Sequence, residues 1–246
     1  MRGFFAGIIC LLGVASSIAS TLVEQVTLSY DSNPANVMFS FAAFSDEANA
    51  QIQWGTDAQK LTNYVDVSGS KYNLNNYTSP MIYKGTASNL PVGNQVIYYS
   101  VGSDVLGWSE VTSFKTHPGI GVEDVTFQIF GDLGQTENSE NTLTELIQYE
   151  KATKRSGGII SMGDLSYANG DEPLWDSFGK MITRASSQIP MMTTYGNHEW
   201  FDSPNYDFTA VLSRYNNPTV DGTRQLYYSF DSGLVHWVMI AGNNHY

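Results

Sequence analysis

The 246-residue chain has a single cysteine, Cys10, and it lies within an apolar N-terminal stretch. For the remainder, a disulfide framework, a cysteine metal site and a cysteine nucleophile are excluded. Charge is also scarce. Only 15% of residues are charged, with 12 Lys and Arg against 24 Asp and Glu, a formal net charge of −12. No Lys/Arg cluster stands out, so nucleic acid and anionic membrane surfaces are poor partners. No run beyond the N-terminus has the roughly 20 apolar residues of a membrane span. The 42% hydrophobic content still calls for a packed core.

What is present begins with "MRGFFAGIICLLGVASSIAS". Arg2, an apolar stretch from Phe4 to Ala15, and Ser17 and Ala19 at the −3 and −1 places predict a signal peptide over residues 1–19. The expectation is a secreted, extracellular protein. Asn76-Tyr77-Thr78 is the single N-glycosylation sequon, in a polar loop.

From Leu22 to about Thr116 the texture is strands and turns. "QVTLSY", "NVMFSFAAF", "AQIQWG", "SPMIYKGTASNL", "QVIYYSVGS" and "SEVTSFKT" are short runs rich in β-branched and aromatic residues. Their spacing predicts a fibronectin III-like all-β sandwich over 22–117, with Tyr98, Tyr99 and Val101 on a core strand. Trp54 and Trp108 read as packing residues, with ligand contact as the lesser alternative. "HPGIGVED" ends this region, and its residues 118–124 form a Pro/Gly-marked linker.

From 125 onward the texture alternates. "VTFQIFGD", "GGIISMGD" and "IPMMTTYGNHE" (189–199) read as strands. A helix is predicted over 139–155, with Leu143, Leu146 and Ile147 as its apolar stripe and Thr142 and Glu145 as a capping box. A second is predicted over 173–187, with Pro173 in its first turn and Trp175, Phe178, Met181, Ile182 and Ala185 on one face. A hairpin over 226–242 follows. The βαβαβ order implies a parallel sheet with right-handed crossovers.

The three parallel-type strands end alike, in "FGDLG", "MGDLSY" and "YGNHEW". Each is an apolar strand, a glycine, then an oxygen-bearing side chain. Loops at the carboxyl ends of parallel strands share one edge, where ligands bind. That topology brings Asp132, Asp164 and Asn197 together, with Tyr167 beside them. Two carboxylates, an amide oxygen and a phenol are hard donors that select hard or borderline cations. A carboxylate can bridge two metals, and two metals polarise a phosphoryl group and activate water. A tyrosine ligand must bind as phenolate, from a free pKa near 10, which points to a trivalent ion such as Fe³⁺.

"GDLG", "GDLSY" and "GNHE" after a small β-sandwich resemble the purple acid phosphatases within the calcineurin-like metallophosphoesterases. The resemblance covers nearly all of the chain beyond the signal, and GDxxY is specific to the iron-containing branch. It implies that Asp132 binds Fe(3+), Asp164 bridges both metals, Tyr167 binds iron and gives the colour, and Asn197 binds a divalent Zn, Mn or Fe. It implies that His198 contacts phosphate and protonates the leaving group, with Glu199 in support. The implied reaction is hydrolysis of small phosphate monoesters at acid pH by a metal-activated water. The family's further histidine ligands, in VxxH and GHxH segments, are not matched here. Only His236 and His245 follow His198. His236, mid-strand, reads as packed, and His245 as a minor candidate at a strand end. Residues 125–246 therefore read as the N-terminal part of a metallophosphoesterase domain, an incomplete α/β unit in an incomplete chain. Two alternatives stand beside the acid phosphatase: a catalytically inactive secreted binding protein, and a metallophosphodiesterase. Oligomeric state is not legible.

Overall fold

The computed structural model of the chain describes residues 21–200, 208–219 and 226–242. The predicted signal peptide, Cys10 and His245 lie outside the described residues. No helix among the described residues is long and apolar enough to cross a membrane.

Ten strands come first. They are β1 (Val23–Tyr30), β2 (Val37–Ala43), β3 (Asn49–Gly55), β4 (Asn63–Ser70), β5 (Asn73–Leu74), β6 (Tyr77–Thr78), β7 (Met81–Ala87), β8 (Val96–Ser103), β9 (Gly107–Trp108) and β10 (Thr112–Lys115). Eight of them make one sheet in the order β1-β2-β7-β4-β3-β8-β10, with β9 on β8. The sheet is curled. β4 and β7 share only the pairs Gly69–Tyr83 and Ser70–Ile82, so the two halves fold over each other. Alternation decides what faces inward. On β3, Ala50, Ile52 and Trp54 are buried while Gln51 and Gln53 point outward. Phe39 of β2 meets Tyr99 of β8 edge-on at 5.0 Å between ring centroids, across the core.

The sequence pattern misses β4. In "NYVDVSGS" only Val67 is fully buried and only Val65 and Val67 are apolar on the inward side, an alternation too short to mark a strand. Its pairing with β3 over six residue pairs makes it a strand.

The second part contains β11 (Thr126–Phe130), α1 (Glu137–Ala152), β12 (Ser156–Ser161), α2 (Pro173–Ser186), β13 (Met191–Thr193), α3 (Asn197–Trp200), α4 (Thr209–Arg214), β14 (Tyr227–Ser232) and β15 (Val235–Ile240). β11, β12 and β13 form the expected parallel sheet, in that order. β14 and β15 form the expected hairpin.

Three local expectations are corrected. α1 begins two residues before 139, and its capping box is Thr136 with Ser139, not Thr142 with Glu145. The Thr142 hydroxyl instead bonds its own helix at the Asn138 carbonyl, 2.9 Å away. The third strand ends at Thr193, because "NHEW" turns into a short helix whose Glu199 is pulled inward. His236 is not packed but exposed, paired with Asp231 Oδ1 at 2.7 Å on the outer face of the hairpin.

The two parts share their interior. One hydrophobic cluster joins Leu28, Phe39 and Tyr99 to Ile160, Met192 and Phe230. α2 lies against β1, where the Ser186 hydroxyl donates to the Val26 carbonyl at 2.9 Å. A bulge in β1, with Gln25 at φ +58°, turns that side chain out of the ladder. Its Oε1 accepts from Arg214 Nη1 at 2.9 Å. His117, at the head of the 117–124 segment, is buried and held at both ring nitrogens. Nδ1 accepts from Gly119 N–H at 3.0 Å, and Nε2 lies 2.9 Å from the Asp231 carbonyl.

Candidate metal centre

The loops after β11 and β12 run side by side. Asp132 N–H donates to the Gly163 carbonyl at 3.1 Å, and Gly134 N–H to the Leu165 carbonyl at 2.9 Å. The third segment joins them through Thr194 N–H, which donates to the Ser161 carbonyl at 3.0 Å. Parallel pairing thus carries residues distant in sequence to a common edge.

At that edge the Tyr167 hydroxyl donates to Asp132 Oδ1 at 2.9 Å. Asp164 Oδ1 accepts from the backbone N–H of His198 at 3.1 Å. Asn197, exposed, opens α3 one residue earlier. The His198 ring lies 4.2 Å from the Tyr167 ring, centroid to centroid. Asp132, Asp164 and Tyr167 all hold left-handed backbone, at φ +56°, +51° and +55°. Aspartate visits that region with some ease, but tyrosine does so rarely, and such strain gathers at functional sites.

Of the three glycines before these positions, two are sterically required. Gly163 has φ +94°, and a Cβ there would sit 2.6 Å from Gly196 N. A Cβ on Gly196 would sit 2.0 Å from Asp164 Oδ1. Gly131 differs, since its Cβ would meet only Met162 Cβ at 3.4 Å.

Glu199 is 1% exposed and ties two segments together. Oε2 accepts from Asp164 N–H and Gly196 N–H, each at 2.8 Å, and Oε1 accepts from Leu165 N–H at 2.7 Å. Burial pushes its carboxyl up to about 7, against the pull of these three donors and with a smaller push from Asp164. The Tyr167 phenol is pushed up to about 12, by desolvation first, then by its bond to Asp132 and the charges of Asp132, Asp164 and Glu199.

One neighbour was not read from the sequence. Asn169 Oδ1 lies 2.6 Å from Nδ1 of His198. In that pairing the imidazole donates from Nδ1, which leaves Nε2 to exchange a proton. The signal was its place two residues after Tyr167, but an Asn in a turn has too many ordinary uses to stand out.

The donor set is all oxygen. Among the described residues, no three His, Cys, Asp or Glu side chains group in a way that could hold a metal ion. His117 and His236 are engaged elsewhere with Asp231.

Comparison with known proteins follows this geometry. Residues 23–116 match the family model described as the purple acid phosphatase N-terminal domain. Probable purple acid phosphatase 20 of Arabidopsis thaliana is 34% identical over 208 residues, 78% of this chain and 47% of that protein. Fe(3+)-Zn(2+) purple acid phosphatase 12 of the same plant is 29% identical over 205 residues, 79% of this chain and 42% of the relative. The structure of purple acid phosphatase PPD1 from yellow lupin (Lupinus luteus) seeds superimposes with a TM-score of 0.74 at 22% identity, covering 89% of this chain and 44% of that one. The chain spans less than half the length of each of these proteins. The 78% of this chain matched by the first of these relatives extends well past residue 116. The chain belongs to the purple acid phosphatase family.

Proposed function

We propose that this chain is secreted, is glycosylated at Asn76, and carries the oxygen-donor side of a binuclear Fe(III)–M(II) centre for phosphate-monoester hydrolysis. In this reading residues 22–117 are a fibronectin III-like domain and 118–124 a linker. Residues 125–246 are then part of an α/β metallophosphoesterase domain.

The contact between Tyr167 and Asp132 is the observation that carries the proposal. A phenol and a carboxylate meet where two parallel strands end, on strained backbone, with Asp164 on the adjacent loop. Such hard donors suit a ferric ion, and the phenol requires one. Its proton is held more tightly than in water, so only a strongly polarising cation displaces it. Asp132 and Tyr167 would hold iron, Asp164 would bridge, and Asn197 would offer its amide oxygen to Zn, Mn or Fe(II).

When bound, the cations supply Lewis-acid polarisation of the phosphoryl group and a water of lowered pKa. The remaining work falls to the chain. Glu199 fixes the backbone of Asp164 and Leu165 through its carboxylate. Asn169 holds Nδ1 of His198, so that Nε2 can give a proton to the departing alkoxide.

The test is reconstitution with Fe(III) and Zn(II), read by visible absorption and by hydrolysis of p-nitrophenyl phosphate at acid pH. The expected result is a visible charge-transfer band that Tyr167→Phe abolishes. Iron bound without any such band would sink the assignment of Tyr167. A second reading, a catalytically inactive binding protein, is favoured because no three His, Cys, Asp or Glu side chains among the described residues group in a way that could hold a metal ion. A band without turnover selects it. Faster hydrolysis of bis-p-nitrophenyl phosphate than of the monoester would select a phosphodiesterase.

A further inference from the structure

The outward face of the β4-β3-β8 sheet is not used by the centre described above, and its composition is unusual. Register places Asp66, Gln51, Gly102 and Trp108 in one cross-strand row. Tyr64 and Gln53 stand side by side in the next row. Directly paired residues share a face, so the polar side chains and both aromatic rings belong to one surface. Tyr64 is 63% exposed. A groove of about 680 Å³ runs along this face, bounded by Trp108 and by the carboxylates of Glu47 and Asp104.

The amides are held in order. Gln53 Nε2 donates to Gln51 Oε1 at 3.1 Å, and Gln51 Nε2 to Asp66 Oδ1 at 2.7 Å. Such a chain fixes each planar amide and costs little further ordering when a ligand arrives. Three strand spacings of about 4.8 Å and one two-residue step of about 6.8 Å set Tyr64 and Trp108 roughly 16 Å apart along the face.

Charge narrows the occupant. Glu47, Asp66 and Asp104 line the groove, and no Lys or Arg does. Phosphorylated and uronic-acid ligands are repelled. An exposed tyrosine, a half-buried tryptophan, oriented amides and carboxylates suit a ligand of many neutral hydroxyls with apolar C–H faces. We propose that this face binds a neutral glycan chain, laid between Trp108 and Tyr64, with Gln51, Gln53 and Asp66 bonding its hydroxyls. The low charge and amide-rich surface of this half of the chain then have a use independent of the phosphoryl chemistry.

The experiment is native affinity electrophoresis of the full chain in gels containing hydroxyethylcellulose, xyloglucan, galactomannan or laminarin. Polygalacturonate is the charged control. Retardation is expected in at least one neutral gel and not in polygalacturonate. Trp108→Ala and Tyr64→Ala should each weaken it at least fivefold, with circular dichroism unchanged. If Trp108→Ala fails to fold, Tyr64→Ala decides, because its side chain is mostly in solvent. The proposal is overturned by no retardation in any neutral gel, by equal retardation of the folded variants, or by equal retardation in polygalacturonate. Phosphatase activity does not enter the readout, so this outcome stands apart from that of the metal centre.

Discussion

The carboxylate of Glu199 accepts the backbone N–H of Asp164 at 2.8 Å, from a residue 35 positions further along the chain. Together with its bonds to Leu165 and Gly196, this locks the loop after β12 onto the segment after β13. The geometry of the candidate centre therefore depends on a residue that touches none of the proposed ligand oxygens.

Removing that carboxylate should cost stability before it costs chemistry. Glu199→Ala leaves three backbone N–H groups without their acceptor in a buried place, a loss of about 2–4 kcal/mol. Glu199→Gln keeps one carbonyl oxygen and should lose about half as much. Urea midpoints of the two variants check the order. Equal midpoints for wild type and Glu199→Ala would contradict it.

The glycines before the ligand positions should respond unequally. Gly196→Ala forces a Cβ to within 2.0 Å of Asp164 Oδ1, so the carboxylate must move. Iron retained after gel filtration should fall at least tenfold. Gly131→Ala meets only Met162 Cβ at 3.4 Å and should retain iron as wild type does. Elemental analysis of the two variants separates the cases, and equal losses would contradict the steric argument.

A buried cation joins the two parts of the chain. Arg214 is 8% exposed and donates to Tyr72 at 3.0 Å, Gln25 at 2.9 Å and Tyr77 at 2.8 Å, with Asp176 Oδ1 at 3.0 Å from its Nη2. Arg214→Met leaves the mostly buried Asp176 charge with only its neutral partners Gln25 and Tyr77 and should cost about 3–5 kcal/mol. Adding Asp176→Leu should restore part of that loss. Thermal melts of the single and double variants measure the coupling, and strict additivity would rule it out.

Glu172 gives a pH signature. It is 1% exposed, and its pKa is raised, first by burial, then by Asp176 and Asp171, against the Tyr72 bond and the Arg214 charge. The folded state thus holds this proton more tightly than the unfolded chain does. Stability from this group is fully present below its unfolded pKa, near 4.5, and declines as pH rises through the folded value. Glu172→Gln should flatten that decline. Urea midpoints from pH 4 to 7 check it, and an unchanged slope would assign the decline to other groups.

How much of this was legible varies with how local its cause is. Pro173 and the stripe from Trp175 to Ala185 mark α2, because helix period and first-turn chemistry are written in neighbouring residues. The Gly-Asp strand ends are readable for a similar reason: a strand must stop, and the stop residue is visible. β4 was not readable, since one fully buried side chain in eight residues leaves only pairing to make it a strand. The cap of α1 went to Thr136 because Ser139 also reaches the Leu133 carbonyl at 2.6 Å, fastening the helix start to the loop after β11.

The sequence alone determined the order of the three parallel strands and the two long helices, the hard-donor character of the candidate centre and the kinship that its three strand ends announce. Period, turn chemistry and side-chain type are local properties, and they survive without coordinates. Only the tertiary structure decided that Glu199 clamps Asp164, that Asn169 faces His198, that His236 is exposed, and that Arg214 sits between the two parts. Each depends on where strand pairing and helix packing bring residues separated by between five and nearly two hundred positions. No local pattern carries that information, because the energy that selects such contacts appears only once the surrounding water has been excluded.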